Sequence, residues 1–178
     1  LAQEKLDLVV ANKNAPLQCV LSGLKDEIAR AAEILAARGL KCVTLPVSAA
    51  FHSALVAGAV PEFQKALKKA HFADSKTPVY ANKTAAPYPA AAAACRELLA
   101  SQLASPVEFT RMIGRMAEEG FDHFIEVGPG ARLTALVSSI LDGRSHLTAA
   151  LDSSNGKRPG TVDLARLLAQ AAAWGQPV

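Results

Sequence analysis

Apolar and polar positions alternate or recur along the chain in a way that predicts a sequence of short strands and helices. Leu6 to Ala11 is a short apolar run; Asn12-Lys-Asn-Ala-Pro16 concentrates turn formers, and Gln18 to Leu21 is a second short run ending at Ser22-Gly23. That succession predicts a β-hairpin. Ile28, Ala31, Ala32, Leu35 and Ala36 recur at helical spacing before Arg38-Gly39, which predicts a helix over 26–37 closed by a cation and a left-handed glycine. Cys42, Val43, Leu45 and Val47 then predict a buried strand over 41–47. Leu55, Val56, Val60, Phe63 and Leu67 predict an amphipathic helix over 54–70, which Pro61 either breaks or restarts.

Further on, 77–82 reads as a strand and 84–89 as a proline-bearing turn. The alanine-rich stretch 90–103 reads as a helix, because alanine loses almost no side-chain entropy on entering one. Pro106 is placed as the first residue of the next helix, which runs to Gly120. Phe124-Ile-Glu-Val127 reads as a buried strand that turns through Gly128-Pro-Gly130 into a helix over 132–141, the join expected in a parallel α/β sheet. The Ser, Asn, Gly, Lys, Arg and Pro content of 152–160 predicts a linker, with a detached helix over 162–174 beyond it.

Composition narrows the function classes. The 178 residues are enough for one domain or a pair of subdomains with a real core. Lys and Arg number 19 against 16 Asp and Glu, and the basic residues are scattered without interleaved aromatics, which argues against nucleic acid. No apolar run reaches the roughly 20 residues of a membrane span, so no membrane role is expected. Cys19, Cys42 and Cys95 have no CxxC pairing and no metal-ligand spacing; they read as reduced, buried small hydrophobes, which fits a cytoplasmic protein with no metal. The opening Leu-Ala-Gln-Glu-Lys, without an initiator methionine, reads as a fragment of something longer.

Among candidate site residues, His52 follows Leu45-Pro-Val-Ser-Ala-Ala-Phe51 at an expected strand end and just before a helix, where a scaffold can fix the direction of an imidazole. It can be a catalytic base or a part-buried histidine bonded to a nearby carbonyl. Gly128-Pro-Gly130 can be an anion cradle at a helix N-terminus or a tight packing turn; Pro129 removes an amide that an anion would need, favouring the turn. Asn12 and Asn14, two residues apart, can face a polar ligand together or serve turn geometry alone. Gln102 in isolation is a polar residue at a helix end, and His71, His123 and His146 read as surface residues.

Five collinear stretches carry a resemblance. Ala11-Asn-Lys-Asn-Ala-Pro-Leu-Gln-Cys-Val-Leu-Ser-Gly23, Leu45-Pro-Val-Ser-Ala-Ala-Phe-His-Ser53, Thr77-Pro-Val-Tyr-Ala-Asn82, Gln102-Leu-Ala-Ser-Pro-Val-Glu-Phe-Thr110 and Phe124-Ile-Glu-Val-Gly-Pro-Gly130 together resemble the C-terminal part of malonyl-CoA:acyl carrier protein acyltransferases, as found in fatty acid, polyketide and polyunsaturated fatty acid synthases. The resemblance implies an α/β fold: part of a ferredoxin-like small subdomain over 1–47, part of an α/β-hydrolase-like parallel-sheet core over 48–151, and a linker and helix over 152–178. It implies ping-pong transfer of malonyl from CoA to the phosphopantetheine thiol of an acyl carrier protein, with no tightly bound cofactor. His52 matches the family's base, and Gln102 the position whose backbone carbonyl orients it. Asn12, Asn14 and Lys41 match positions that approach CoA, with Lys41 where an arginine is often found. Phe51 matches a wall of the acyl pocket that favours malonyl, and Ala49 departs from the usual His-Ala-Phe-His.

The family's GHSxG serine motif is absent from these 178 residues, as is the downstream arginine that holds the malonyl carboxylate. The implied state is half an acyltransferase, inactive alone, whose N-terminal half lies in the same or another chain and whose apolar edges favour self-association. The alternative is a non-catalytic acyltransferase-like module that docks a carrier protein or a partner domain. Retention of both His52 and Gln102 favours the catalytic reading, because docking needs neither.

Overall fold

The computed structural model describes residues 4–73 and 75–178, and the chain divides into two compact units with the boundary between Met112 and Ile113. The first three residues of the expected first subdomain lie outside the described residues.

The first unit opens on an antiparallel hairpin, β1 (Leu8–Ala15) and β2 (Gln18–Gly23). The expected turn over Asn12 to Pro16 is therefore mostly strand, and the chain reverses only at Pro16-Leu17. Two irregularities in register, between Val10 and Asn12 and between Lys13 and Ala15, let the Asn-Lys-Asn stretch stay in the ladder. A second neighbour also holds it: Val107 donates its N–H to Ala11 O at 2.8 Å and accepts from Lys13 N at 2.9 Å. Pro106 is accordingly not the start of a helix. With the Val107 amide and carbonyl committed to β1, the next helix begins only at Phe109.

Helix α1 (Lys25–Ala37) ends as expected, with Gly39 at a φ of +78°. The expected strand over 41–47 does not form. Val47 N–H bonds back to Leu45 O at 2.9 Å, a three-residue turn at Pro46, and no ladder partner pairs with this stretch among the described residues. Its apolar side chains stand in solvent, Val43 at 71% exposure. Cys42 and Cys19 are exposed and Cys95 is half-buried, so the cysteines are not the buried hydrophobes their neighbours suggested; Cys42 lies on this unpaired stretch and Cys19 at the tip of the hairpin.

Pro61 does restart the helix. A 3-10 helix over Ala54–Ala59 gives way to α2 (Val60–Lys68), with the proline in its first turn, where its missing N–H costs nothing. Only Tyr80–Ala81 of the expected strand over 77–82 is laddered, as β3 against β4 (Ala86–Pro87). The alanine-rich stretch is helix α3 (Ala92–Gln102), which packs on α2. Arg96 joins the two: its guanidinium donates to Leu67 O and Ala70 O at the end of α2 and lies 4.9 Å over the Phe72 ring. Helix α4 (Phe109–Glu118) contains the boundary between the units.

In the second unit β5 (His123–Pro129) pairs in parallel with β6 (Leu147–Asp152), with α5 (Arg132–Ile140) between them in sequence and packed on both. This is the expected strand-turn-helix join, completed by a strand that the pattern of residues 147–152 did not announce; β5 is not the buried strand expected, because one of its faces is uncovered and leaves Ile125 and Val127 exposed. The segment 152–160 is not a loose linker, and α6 (Gly160–Ala173) is not detached. Asp163, 2% exposed, accepts from the Ser154 hydroxyl and, at 2.9 and 3.1 Å, from the Arg158 guanidinium, while Leu167 and Ala171 are buried and the helix packs on β6. A polar stretch can be as ordered as a helix when one carboxylate gathers its donors. His123, expected at the surface, is half-buried, with Nδ1 2.5 Å from Asp122 Oδ1 and its ring edge-on to Trp174 at 5.5 Å.

The Ser154 hydroxyl, and with it the Arg158 and Arg166 charges, holds the Asp163 carboxyl below its ordinary value of 3.8 against the opposing effect of burial. A lowered folded value means that the anion stabilises the fold above the unfolded pKa, and that this contribution disappears as pH falls below about 4 through the folded value. Asp163→Asn is therefore expected to lower the melting temperature at pH 7 and to flatten its decline between pH 5 and 2. Thermal denaturation of both proteins across that range checks this, and parallel curves would count against it.

Candidate active site

The site is centred on a backbone conformation that few residues adopt. His52 has a φ of +60°, the left-handed region that a side chain with a Cβ rarely occupies unless its surroundings hold it there. Three groups of bonds do so. His52 N–H donates to Leu103 O at 3.1 Å; the Ser53 hydroxyl donates to Ala50 O at 2.6 Å and accepts from Leu55 N at 3.3 Å; and His52 Nδ1 lies 3.2 Å from Gln102 O. A carbonyl only accepts, so Nδ1 carries the proton in this pair, and the lone pair of the neutral ring is on Nε2. That is the tautomer a general base requires, fixed without a carboxylate.

The carbonyl that accepts this bond is itself held. Gln102 is the last residue of α3, where carbonyls lack helical partners. Its side-chain Nε2 donates to Ser105 O at 3.0 Å and Pro106 O at 3.4 Å, and the Ser105 hydroxyl returns to Ser101 O at 2.7 Å. Ser101 Oγ in turn accepts from Lys83 Nζ at 2.9 Å. Beyond this turn, Val107 is laced to β1, Glu108 pairs with Lys13 Nζ at 2.6 Å, and the Thr110 hydroxyl donates to Lys13 O at 2.9 Å. The loop that presents a carbonyl to His52 is thus anchored on the strand that carries Asn12 and Asn14.

The structure joins His52 directly to Gln102 and sets Phe51, exposed, next to the imidazole in sequence. Asn12 and Asn14 are half-buried on β1, and Asn12 is the residue bracketed by the Val107 rung. Lys41 is exposed on the unpaired stretch after α1, and among the described residues no bond ties it to the others. Sequence reasoning missed Ser53, although a serine directly before a helical stretch is a capping pattern that could have disclosed it. It also missed Val107, whose role depends on a pairing 95 residues away in sequence and leaves no local signal.

The Gly128-Pro-Gly130 turn has its anion already. Glu126 Oε2 accepts from the backbone amide and the hydroxyl of Thr134 at 2.8 and 2.9 Å, at the N-terminus of α5. Burial raises the Glu126 pKa, but these bonds, with help from the Leu133 and Arg132 amides, outweigh it and leave the value lowered. An internal carboxylate occupies the place where a ligand phosphate would sit, so the turn serves strand-to-helix packing.

Residues 2–162 match the model of the acyl transferase domain family. A polyketide biosynthesis malonyl CoA-acyl carrier protein transacylase of Bacillus subtilis is 38% identical over 136 residues, covering 75% of this chain and 46% of that protein. The malonyl CoA-acyl carrier protein transacylase of the same organism is 34% identical over 157 residues, covering 88% of this chain and 47% of that protein. In solved structures the fold recurs in a malonyl-transacylase bound to its type II polyketide synthase acyl-carrier protein, with a TM-score of 0.80, 29% identity, and coverage of 92% of this chain and 50% of that one. The chain spans about half the length of these relatives, and its mixed α/β architecture is that of part of the malonyl transacylase fold.

Proposed function

Since the chain belongs to the acyl transferase family, we propose that it is the base-bearing half of a malonyl-CoA:acyl carrier protein acyltransferase acting in the cytoplasm. The observation that carries this reading is the His52 Nδ1 bond to the Gln102 carbonyl, which leaves Nε2 free to take a proton. In the first half-reaction a serine hydroxyl supplied by the other half of the domain attacks the thioester carbon of malonyl-CoA. His52 takes the hydroxyl proton and delivers it to the departing CoA thiolate, leaving a malonyl ester on the serine. In the second half-reaction the phosphopantetheine thiol of the carrier protein gives its proton to His52 and attacks that ester; malonyl passes to the sulfur as a thioester, and His52 returns the proton to the released serine oxygen. Phe51 narrows the acyl pocket toward malonyl. Asn12, Asn14 and Lys41 approach the CoA moiety, Lys41 as a point charge for phosphate without the two-pronged geometry of an arginine.

The subdomain division at 47/48 and 151/152 belongs to the same proposal and describes the complete domain. Exposed apolar side chains support a missing partner surface: Val43 and Val47 on the unpaired stretch of the first unit, and Ile125 and Val127 on β5 of the second. We assign their cover to the serine-bearing half and, in its absence, to other copies of this chain. The isolated 178 residues are expected to associate in light scattering, and a monodisperse monomer would count against that.

The functional test is transfer of labelled malonyl from malonyl-CoA to a holo carrier protein by the full-length protein, alongside the 178 residues alone. Label on the carrier protein in the first case and on no serine in the second is the expected result. Labelling of a serine in the isolated chain would overturn the division of labour, and docking of carrier protein without transfer by the full-length protein would favour a non-catalytic module.

A further inference from the structure

We propose that Ser53 is a positioning residue for the His52 imidazole, acting as a staple across the strained turn that aims it. The proposal rests on the reading of His52 as the base. Three observations carry it. His52 occupies the left-handed region at a φ of +60°, a conformation that returns to ordinary backbone unless it is held. The Ser53 hydroxyl is bonded on both sides of that residue, donating to Ala50 O at 2.6 Å and accepting from Leu55 N at 3.3 Å, so its two bonds bracket His52. Ser53 is also one of the few buried polar side chains among the described residues, at 5% exposure, and water does not readily replace a hydroxyl in such a place.

A helix cap alone would need only the bond from Leu55 N. The second bond, to Ala50 O, reaches back over Phe51 and His52 and fixes the chain on the near side of the base. The groups around the imidazole then divide the work. Leu103 O holds the His52 amide, Gln102 O holds Nδ1, and Ser53 holds the backbone from which the side chain springs. If the staple is lost, Ala50 to His52 can relax toward negative φ, which rotates the Cα–Cβ bond and draws Nδ1 off the Gln102 carbonyl. The Nε2 lone pair is then no longer pinned in place, and a displacement of about 1 Å at a reacting group can cost as much as 100-fold in rate. Ser53 itself is extended, at a φ of −134°, a conformation that suits the β-branched threonine and keeps a hydroxyl at the same place.

The experiment compares Ser53→Ala, Ser53→Thr and His52→Ala in the full-length protein, with rates normalised to folded protein by circular dichroism. Ser53→Ala is expected to lower kcat about 10- to 100-fold with KM for malonyl-CoA nearly unchanged, the signature of a misplaced group rather than lost binding. Ser53→Thr is expected to recover most of the rate. Nitrogen-15 NMR of the His52 ring in the same proteins should show one Nδ1–H tautomer in wild type and Thr, and an averaged signal in Ala. A wild-type kcat and tautomer signal in Ser53→Ala, or equal losses in Ala and Thr, overturns the proposal. Full transfer by His52→Ala would instead overturn the reading of His52 as the base, and the tautomer signal would still decide the role of Ser53.

Discussion

Replacing His52 by alanine or asparagine is expected to lower malonyl transfer by the full-length protein about 100- to 10,000-fold, the range usual for loss of a general base. The expectation starts from geometry. Nδ1 is bonded at 3.2 Å to a carbonyl that only accepts, so the neutral ring carries its lone pair on Nε2. In the mechanism we propose, neither variant can accept the serine proton, and the thioester must then be attacked by a hydroxyl that keeps it. The two variants differ usefully in the backbone. Asparagine tolerates a φ of +60° better than alanine does, so Asn is expected to match wild type more closely in melting temperature than Ala. Equal rate losses with unequal melting temperatures would separate chemistry from folding. Steady-state kinetics with malonyl-CoA and holo carrier protein, together with thermal denaturation, measure both. A variant that keeps its rate and loses only stability would mark His52 as a structural histidine.

How the site is legible in sequence follows from what each residue depends on. His52 stands out locally, since the small residues and proline before it and the helical stretch after it announce a turn. Its partner does not. Gln102 contributes a backbone carbonyl, and any residue has one, so only the resemblance could single it out. The same holds for Val107, which acts through its amide and carbonyl on β1. The proline before it pointed to a helix start. The stretch 41–47 has the composition of a buried strand, but a strand exists only where another backbone completes its ladder. Without one among the described residues, Leu45 and Val47 close a tight turn and their neighbours face solvent. At 152–160 the error ran the other way: the polar composition of a linker conceals a knot of donors around Asp163 that no periodicity encodes. Helices α1, α3 and α5 were legible because their signals are local: apolar spacing closed by Gly39 for α1, alanine content for α3, and the glycine-bearing turn that precedes α5.

Leu141→Ala is expected to destabilise the second unit by about 2–5 kcal/mol, whereas Val127→Ala on β5 is expected to change stability by less than about 0.5 kcal/mol. Both are apolar residues of the same parallel unit, and their difference is position. Leu141 closes α5, its amide bonded to Val137 O at 2.9 Å, and it is 1% exposed. With Val137, one turn earlier and also buried, it forms the face that α5 lays on the β5–β6 pair. Truncation to alanine leaves a cavity that a two-stranded ladder can only partly collapse to fill. Val127 is 79% exposed and loses almost no contact. The net stability of a folded chain is about 0.05–0.15 kcal/mol per residue, so a loss of this size is comparable to the whole margin of so small a unit. Hydrogen exchange of the β5 and β6 amides would accordingly rise toward the unprotected rate in Leu141→Ala and stay near wild type in Val127→Ala. The reverse order would mean that the core of this unit lies elsewhere. In the complete domain the ranking should narrow, because the half that we assign to the exposed edge of β5 would give Val127 the partner it lacks here.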